Sequence, residues 1–239
     1  MTKLIYHADS YQKTFQAKVT ELDAENHGVV LTKTAFYPGG GGQPPDFGNL
    51  LYRDQAHPIE RAKRIKGRIV HLLNQEAPLP AVGSTVQGNI NWEHRYQLMR
   101  THTALHILCG VVFRDYGAFV TGGNMNPLSG RMDFEIKSLH KELVKTIEDS
   151  INKEVNKGLS VTWRVLPREE AFQIPDLIRT KINLLPDHIQ EVRVVEIEGL
   201  DLQADGGTHV KNTSEVGVIH IDDYKSKGAE NKRLYISLD

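Results

Sequence analysis

The chain of 239 residues has 29 Lys and Arg against 30 Asp and Glu, a formal net charge of −1, and 39% hydrophobic residues. This length allows one large domain or two modest ones, and the composition is that of an ordinary globular protein. The balanced charge excludes a uniformly basic nucleic-acid binder, and the single cysteine, Cys109, excludes an internal disulfide and a four-cysteine zinc site. No apolar run approaches the ~18 residues of a membrane span and the first residues do not resemble a secretory signal, so we expect a cytoplasmic protein.

Residues 1–90 are predicted to form a small β-barrel or sandwich. Short apolar runs recur at intervals of roughly 8–12 residues between Gly, Pro and Asn, which is typical of an all-β domain. The predicted strands are residues 15–20, 28–33, 50–53, 65–73 and 85–91. No segment of this half shows a convincing helical pattern.

Residues 91–239 are predicted to form an α+β domain. Asn91 and Glu93 are typical of a helix start, and an apolar pattern continues from them to a stop at Gly117. A second helix is predicted from Ser138 to Gly158, with Leu143, Ile147, Ile151 and Val155 on its apolar face. Strands are expected at residues 131–136, 161–166, 192–197, 216–221 and 233–238. The predicted fold class is therefore α+β: a barrel followed by a mixed or antiparallel sheet packed by two main helices.

Two histidines four residues apart in the first predicted helix, His102 and His106, indicate a metal site. Side chains at i and i+4 stand on one helix face about 6 Å apart, which suits two corners of a tetrahedral metal. A zinc metalloprotease would have Glu directly after the first histidine, but Thr103 occupies that position. Histidine pairs at this spacing are also common without a metal. Cys109 could add a thiolate ligand, although a buried structural cysteine is the more common outcome.

A second motif, Asp205-Gly206-Gly207-Thr208-His209, could supply further ligands. Its two glycines allow the backbone to turn tightly and to approach a ligand closely. Alone, such a turn usually only connects strands. Together with the histidine pair it would provide three imidazoles and a carboxylate, enough for four ligands or for three ligands and an activated water.

A third motif contains four consecutive glycines in residues 34–43, which begin with Thr34 and end with Gln43. Ordered glycines lose much backbone entropy, so one interpretation is a flexible loop. The other is a backbone shaped to pass close to a substrate, with the Gln43 amide at its end.

Two clusters of basic residues could face phosphate groups. The first is Arg61, Lys63, Arg64, Lys66 and Arg68, and the second is Lys225, Lys227, Lys232 and Arg233. A solvated strand surface is an equally good interpretation of either cluster on charge alone.

Four motifs in chain order resemble those of the AlaX family, free-standing relatives of the editing domain of alanyl-tRNA synthetase. They are residues 34–38 with 40–43 and 46–48, Arg95 with residues 99–106, residues 205–210 with 213–217, and residues 226–228 with 232–236. The glycine-rich domain ahead of the editing domain resembles that of the medium-length subtype, AlaX-M.

The resemblance implies a zinc-dependent hydrolase with one zinc ion per chain, acting on mischarged tRNA specific for alanine. It implies His102, His106 and His209 as zinc ligands, with Asp205 as either the fourth ligand or the partner of the attacking water. The familiar second metal motif begins with Cys where this chain has Asp205, a harder ligand that binds zinc at a similar distance.

The resemblance also implies which residues meet the substrate. That substrate is the ester of serine with this tRNA, and the ester of glycine is a second candidate. Thr34 and Gln43 would act beside Asp205 as candidate catalytic residues that read the substrate hydroxyl in an interdomain cleft. The expected substrate- and tRNA-binding residues are Gly40, Gly41, Gly42, Gln43, Gly206, Gly207 and Thr208.

The main alternative is a non-catalytic tRNA-binding or accessory module with structural zinc. A small-molecule zinc esterase is a further alternative, whereas a zinc deaminase would need a Cys-x-x-Cys pair and is excluded by the single cysteine. The sequence is compatible with a monomer or a homodimer.

Overall fold

The computed structural model describes residues 2–180 and 189–239. The chain divides into two compact units, unit 1 (Met1–Tyr96) and unit 2 (Gln97–Asp239). A barrel, antiparallel sheets and helices are all present, so the predicted α+β class is confirmed. Among the described residues, no helix combines the length and the apolar character needed to cross a membrane.

Unit 1 is built on a closed barrel. In chain order its elements are β1 (Lys3–Leu4), α1 (Ile5–Ala8), β2 (Thr14–Asp23), β3 (Gly28–Leu31), β4 (Lys33–Thr34), β5 (Gly48–Tyr52), β6 (Gln55–Ile65), β7 (Arg68–Leu73) and β8 (Thr85–Ile90). The barrel order is β2-β3-β7-β6-β5-β8, and β1 pairs in parallel with β4 outside it.

Buried and exposed side chains alternate along β2, and the buried ones form part of the barrel core. Phe15, Ala17 and Val19 are buried while the residues between them are exposed, as expected for a strand with one face inside. The Phe15 ring fills the space beside Gly88, where an added Cβ would lie only 2.4 Å from it. A larger residue at position 88 would therefore displace the ring.

One predicted strand in this unit, residues 65–73, is partly wrong: residues 68–73 form a strand, but the segment before them does not belong to it. β6 ends at Ile65, Lys66 and Gly67 form a turn with φ of 48° and 79°, and β7 begins at Arg68. Two consecutive positive φ angles are typical of a tight hairpin turn. The long strand β6 and the short helix α1 are therefore not predicted from the sequence.

Unit 2 contains two antiparallel sheets and the long helices. Its elements are α2 (Trp92–Tyr116, which begins in unit 1), β9 (Val120–Asn126), β10 (Ser129–Phe134), α3 (Lys141–Asn156), β11 (Val161–Pro167), α4 (Arg168–Ala171), β12 (Glu191–Ile197), β13 (Asp201–Ala204), a 3-10 helix (Thr213–Val216), β14 (Ile219–Ser226) and β15 (Lys232–Leu238). The strand orders are β14-β15-β10-β9 and β11-β12-β13.

The two long helices lie close to where the sequence predicts them. The Asn91 side chain accepts a hydrogen bond from the backbone of His94 at 3.0 Å, which confirms the predicted start of α2. Helix α3 begins at Lys141 rather than Ser138, and Val144 rather than Leu143 lies on its buried face.

A predicted strand at residues 216–221 is partly wrong. Thr213–Val216 forms a 3-10 helix, capped by reciprocal hydrogen bonds between Asn212 and Glu215, and β14 begins only at Ile219. The apolar residues of this segment alternate as in a strand, but the polar cap ahead of them stabilises a helical turn.

Candidate metal centre

Helix α2 contains the first two site residues, which lie on a stretch of the helix that is buried in unit 2. Every residue from Thr101 to Val112 is buried, so the helix has no solvated face over this stretch. His102 and His106 are one turn apart, with ring centroids separated by 5.1 Å. Both imidazoles therefore lie in a largely dry environment.

The loop after β13 brings in the other two site residues. The Asp205 carboxylate accepts a hydrogen bond from the backbone N–H of Gly207 at 2.7 Å, a local turn that reverses the chain. His209 then lies with its ring centroid 4.2 Å from that of His102 and 4.7 Å from that of His106. Two segments about a hundred residues apart in sequence thus meet at one point.

These four side chains could hold a metal ion, because their ligand atoms all lie within 4.8 Å of one another. Oδ1 of Asp205 is 3.5 Å from Nε2 of His102, and Oδ2 is 3.0 Å from Nε2 of His209. Two ligands bound tetrahedrally at zinc distances would be about 3.3 Å apart. These two separations are close to that value, and the four side chains together could hold a metal ion.

A second layer of polar residues fixes the orientation of the ligands. Nδ1 of His106 donates to Asp201 at 2.9 Å, and the Gln203 amide donates to the same carboxylate oxygen at 2.8 Å. This hydrogen bond leaves Nε2 of His106 as the nitrogen that could bind a metal. Oγ1 of Thr103 lies 3.2 Å from Nδ1 of His209 and plays the equivalent part for that ring.

Arg193 supports the loop that carries Asp205. Its guanidinium donates to the backbone carbonyls of Asp205 and Gly207 at 3.0 Å and 3.1 Å, and lies 3.7 Å from the Asp205 carboxylate. Through these contacts, the Arg193 side chain of strand β12 holds the turn in place.

Burial and mutual charge set the protonation states of the cluster. Burial lowers the pKa of His102 well below its usual range and that of His209 to about 4, despite the nearby carboxylate of Asp205. Burial also opposes ionisation of Asp205, but the three histidines hold the pKa of its carboxyl well below the usual value. For His106, burial lowers the pKa, but the hydrogen bond to Asp201 and the negative charges of Asp201 and Asp205 together outweigh burial, so the pKa is raised. Neutral imidazoles and an ionised carboxylate are the forms that bind metals, so the shifts of His102, His209 and Asp205 favour metal binding and that of His106 opposes it.

The glycine-rich motif in unit 1 is a compact loop with unusual backbone angles. Gly39, Gly40, Gly41 and Gly42 all have positive φ, between 57° and 137°, which residues with a side chain rarely adopt. Backbone hydrogen bonds join Gly40 and Gln43 in both directions, and the Tyr37 hydroxyl donates to the Gly40 carbonyl at 3.0 Å.

The candidate residues at the ends of this motif are both buried. Oγ1 of Thr34 lies 2.7 Å from Nε2 of His71 and accepts from the backbone of Phe36 at 3.1 Å. Gln43 is 2% exposed. A buried ion pair between Asp46 and Arg95 closes the base of the loop, and Arg95 also donates to the backbone carbonyls of Ser10 and Ala35.

The two basic clusters differ in their pairing. In the second cluster, Arg233 forms an ion pair with Asp133 at 2.6 Å, Lys225 lies 3.3 Å from Asp223, and Lys232 is buried. In the first cluster, Arg68 pairs with Glu21 and Asp23, while the other four residues have exposed or half-exposed side chains.

Cys109 is buried and, among the described residues, lies outside the group of four side chains that could hold a metal ion. Burial raises the pKa of its thiol well above the usual range, which disfavours the thiolate that a metal would need.

Comparison with known protein families relates both units to aminoacyl-tRNA synthetases. Residues 192–235 match the family described as the threonyl and alanyl tRNA synthetase second additional domain, and residues 3–94 match the class II (A) tRNA synthetases. The class is therefore that of proteins built from synthetase-related domains, here with a His₃Asp cluster in the second unit.

Full-length relatives narrow this class. The chain is 38% identical to alanyl-tRNA editing protein AlaX-M of Saccharolobus solfataricus, covering 100% of this chain and 99% of that protein. It is 37% identical to AlaX-M of Methanosarcina mazei, over 100% and 97%. It is also 36% identical to alanine–tRNA ligase of Ignicoccus hospitalis, over 92% of this chain and 24% of the ligase. The chain belongs to the AlaX-M family.

Proposed function

We propose that this protein is a zinc-dependent hydrolase that removes serine from mischarged tRNA specific for alanine, acting in trans in the cytoplasm. The convergence of His102, His106, Asp205 and His209 within 4.8 Å carries the proposal, because such a donor set is of the kind that serves metal-assisted hydrolysis. The names of the full-length relatives, alanyl-tRNA editing proteins, indicate the substrate class.

Three imidazoles and one carboxylate favour zinc as the metal, at one ion per chain. When bound, zinc supplies a Lewis acid that polarises an ester carbonyl or lowers the pKa of a water toward ~7. Asp201 holds His106 in the tautomer that presents Nε2. Asp205 either completes the ligand set or accepts a proton from the attacking water.

Serine is the amino acid that we expect to be removed, because it differs from alanine by one hydroxyl. A synthetase pocket made for alanine rejects such a substrate only modestly, so a separate hydrolysis step is needed for accuracy. In this proposal Thr34 and Gln43 read the hydroxyl, and glycines 40–42, Gly206, Gly207 and Thr208 approach the substrate. Glycine esterified to the same tRNA is the second substrate to compare.

The test is deacylation of tRNA specific for alanine, charged in turn with serine, glycine or alanine, by the purified zinc-loaded protein. We expect serine to be released much faster than alanine. Equal rates for serine and alanine, or no release of serine, would contradict the proposal.

The alternative of a tRNA-binding module with structural zinc makes a different prediction for His102→Asn. If the metal serves catalysis, the variant remains folded by circular dichroism and loses zinc and hydrolysis together. If the metal is structural, the variant loses its cooperative unfolding transition while the wild type shows no hydrolysis.

A further inference from the structure

The sheet β11-β12-β13 presents one face to the metal centre. In its register Trp163 lies opposite Val195 and Val165 opposite Arg193, while Val195 and Ile197 lie opposite Gln203 and Asp201. Residues directly opposite each other in an antiparallel pair share a face. Trp163, Val165 and Arg193 therefore lie on the same face as Asp201, which holds His106.

Burial on this face decreases from the metal centre outward. Asp201 is 3% exposed and Arg193 is 8% exposed, whereas Trp163 and Val165 on the edge strand β11 are 43% and 46% exposed. A large aromatic side chain that stays exposed beside a buried polar site is a common feature of binding surfaces.

Arg193 links the exposed ring to the metal-binding loop. Its guanidinium lies 5.7 Å from the centroid of the Trp163 ring and donates to the carbonyls of Asp205 and Gly207. Strands β11 and β13 are two strand spacings apart, about 10 Å. The Arg193 guanidinium, 5.7 Å from the ring centroid, is also 3.7 Å from the Asp205 carboxylate, so a single side chain reaches both the ring and the candidate metal cluster, a span of about the size of one nucleoside.

We propose that Trp163, with Val165 beside it, is the stacking platform for the terminal adenine of the substrate, an inference that rests on the proposed function. The ester that is cleaved is attached to the ribose of the terminal nucleotide, so its base must lie within one nucleoside of the reacting carbonyl. Aromatic side chains bind single-stranded bases by stacking, and the nearby Arg193 cation strengthens the attraction.

The first experiment detects stacking without hydrolysis. The chain has two tryptophans, so Trp92→Phe leaves Trp163 as the only indole fluorophore. We expect an RNA hairpin ending in single-stranded CCA to quench its emission, and the same hairpin ending in CC to quench it much less. Equal quenching by both hairpins, or none by either, would overturn the proposal.

The second experiment measures the substrate affinity of variants that bind zinc normally. Trp163→Ala is expected to raise KM for serine-charged tRNA by about 10- to 100-fold with little change in kcat, and Trp163→Phe to restore most of the affinity. Tyr224→Ala, at another exposed aromatic residue of unit 2, is the matched control and should behave as wild type.

The outcomes separate the two proposals. A wild type that hydrolyses no mischarged tRNA contradicts the proposed function, while the hairpin titration still tests the platform. Normal hydrolysis with an unchanged KM for Trp163→Ala contradicts the platform alone. If sedimentation shows a wild-type dimer that Trp163→Ala converts to a monomer, with no quenching by either hairpin, the open edge of β11 is instead an interface between two copies.

Discussion

Asp205 occupies the position at which the familiar metal motif of the family has cysteine. Its two oxygens nevertheless lie 3.5 Å and 3.0 Å from the histidine nitrogens that face it, and the turn to Gly207 holds it there. This placement favours ligation over a role as the partner of water alone. A carboxylate is a harder ligand than a thiolate, so we expect weaker zinc binding than a cysteine would give.

Replacement of Asp205 by cysteine tests whether this position touches the metal. We expect Asp205→Cys loaded with Co²⁺ to show the near-ultraviolet thiolate-to-cobalt charge-transfer absorption, because a ligand at this site would bind the metal directly. Wild type loaded with Co²⁺ is the control and should lack that band. A cobalt-loaded variant with a free, titratable thiol at position 205 would show that the residue is not a ligand.

Asp201 lies outside the candidate metal cluster and accepts a hydrogen bond from one of its members, His106. Asp201→Asn weakens the hydrogen bond that fixes the His106 ring, so we expect zinc affinity to fall by about 10- to 100-fold with the fold intact. Zinc competition with a chromophoric chelator measures the affinity. Asp149→Asn makes the same change on the exposed surface of α3 and should leave the zinc affinity unchanged. Equal zinc affinities of wild type, Asp201→Asn and Asp149→Asn would contradict a supporting role for Asp201.

The sequence motifs point to the four side chains that could bind a metal, but not to the residues that orient them. The i, i+4 spacing of His102 and His106 and the resemblance of residues 205–210 are local patterns, and the structure brings these residues together. Asp201, Gln203 and Arg193 reach the site only because three strands pair in one register. No local pattern carries that register, so sequence analysis alone could not assign them.

At the scale of whole elements, helix α2 depends on its first turns. The Asn91 cap begins the helix, and the fully buried Arg95 forms an ion pair with Asp46 and donates to two further backbone carbonyls. One guanidinium thus ties the start of α2 to the base of the glycine-rich loop within unit 1.

Loss of this guanidinium should destabilise unit 1. Arg95→Met leaves the Asp46 carboxylate buried and unpaired, so we expect the free energy of unfolding to fall by about 3–5 kcal/mol. Urea denaturation measures the change. Arg61→Met on the exposed face of β6 is the control, and a loss for Arg95→Met as small as that of the control would contradict the structural role of the pair.

Elements with one strong pattern were predicted well, and elements with mixed signals were not. Helix α2 has a cap and a long apolar pattern, and its predicted limits hold. Strand β6 contains Pro58 and several charged residues and was missed, because pairing with β5 and β7 rather than local propensity determines it. The place of a strand in the barrel order cannot be predicted from the residues of that strand alone.

At the scale of the whole molecule, His71 couples stability to pH. The ring is fully buried, with Nδ1 donating to the Val29 carbonyl at 3.1 Å. Burial lowers its pKa to about 4, against 6.5 as the usual value, and the hydrogen bond only partly offsets this. Between these values the unfolded chain binds a proton that the folded chain does not, so stability falls as the pH drops through this range.

The expected size of this effect is about 2 kcal/mol between pH 7 and pH 5. His71→Gln removes the titrating group. Between pH 7 and pH 5 the free energy of unfolding of this variant should therefore fall less than that of wild type, and the difference should be about 2 kcal/mol. Urea denaturation at both pH values gives the difference. Other buried histidines titrate equally in both proteins, and parallel pH dependences would contradict the role of His71.

The dependence of hydrolysis on zinc decides whether the cluster of His102, His106, Asp205 and His209 acts as a catalytic metal site. Protein freed of metal by a chelator is titrated with Zn²⁺, and release of serine from tRNA specific for alanine is measured at each addition. The rate should rise linearly from near zero and level off at one equivalent per chain, and His209→Asn should show no such saturation. Full activity in the metal-free protein would contradict the account.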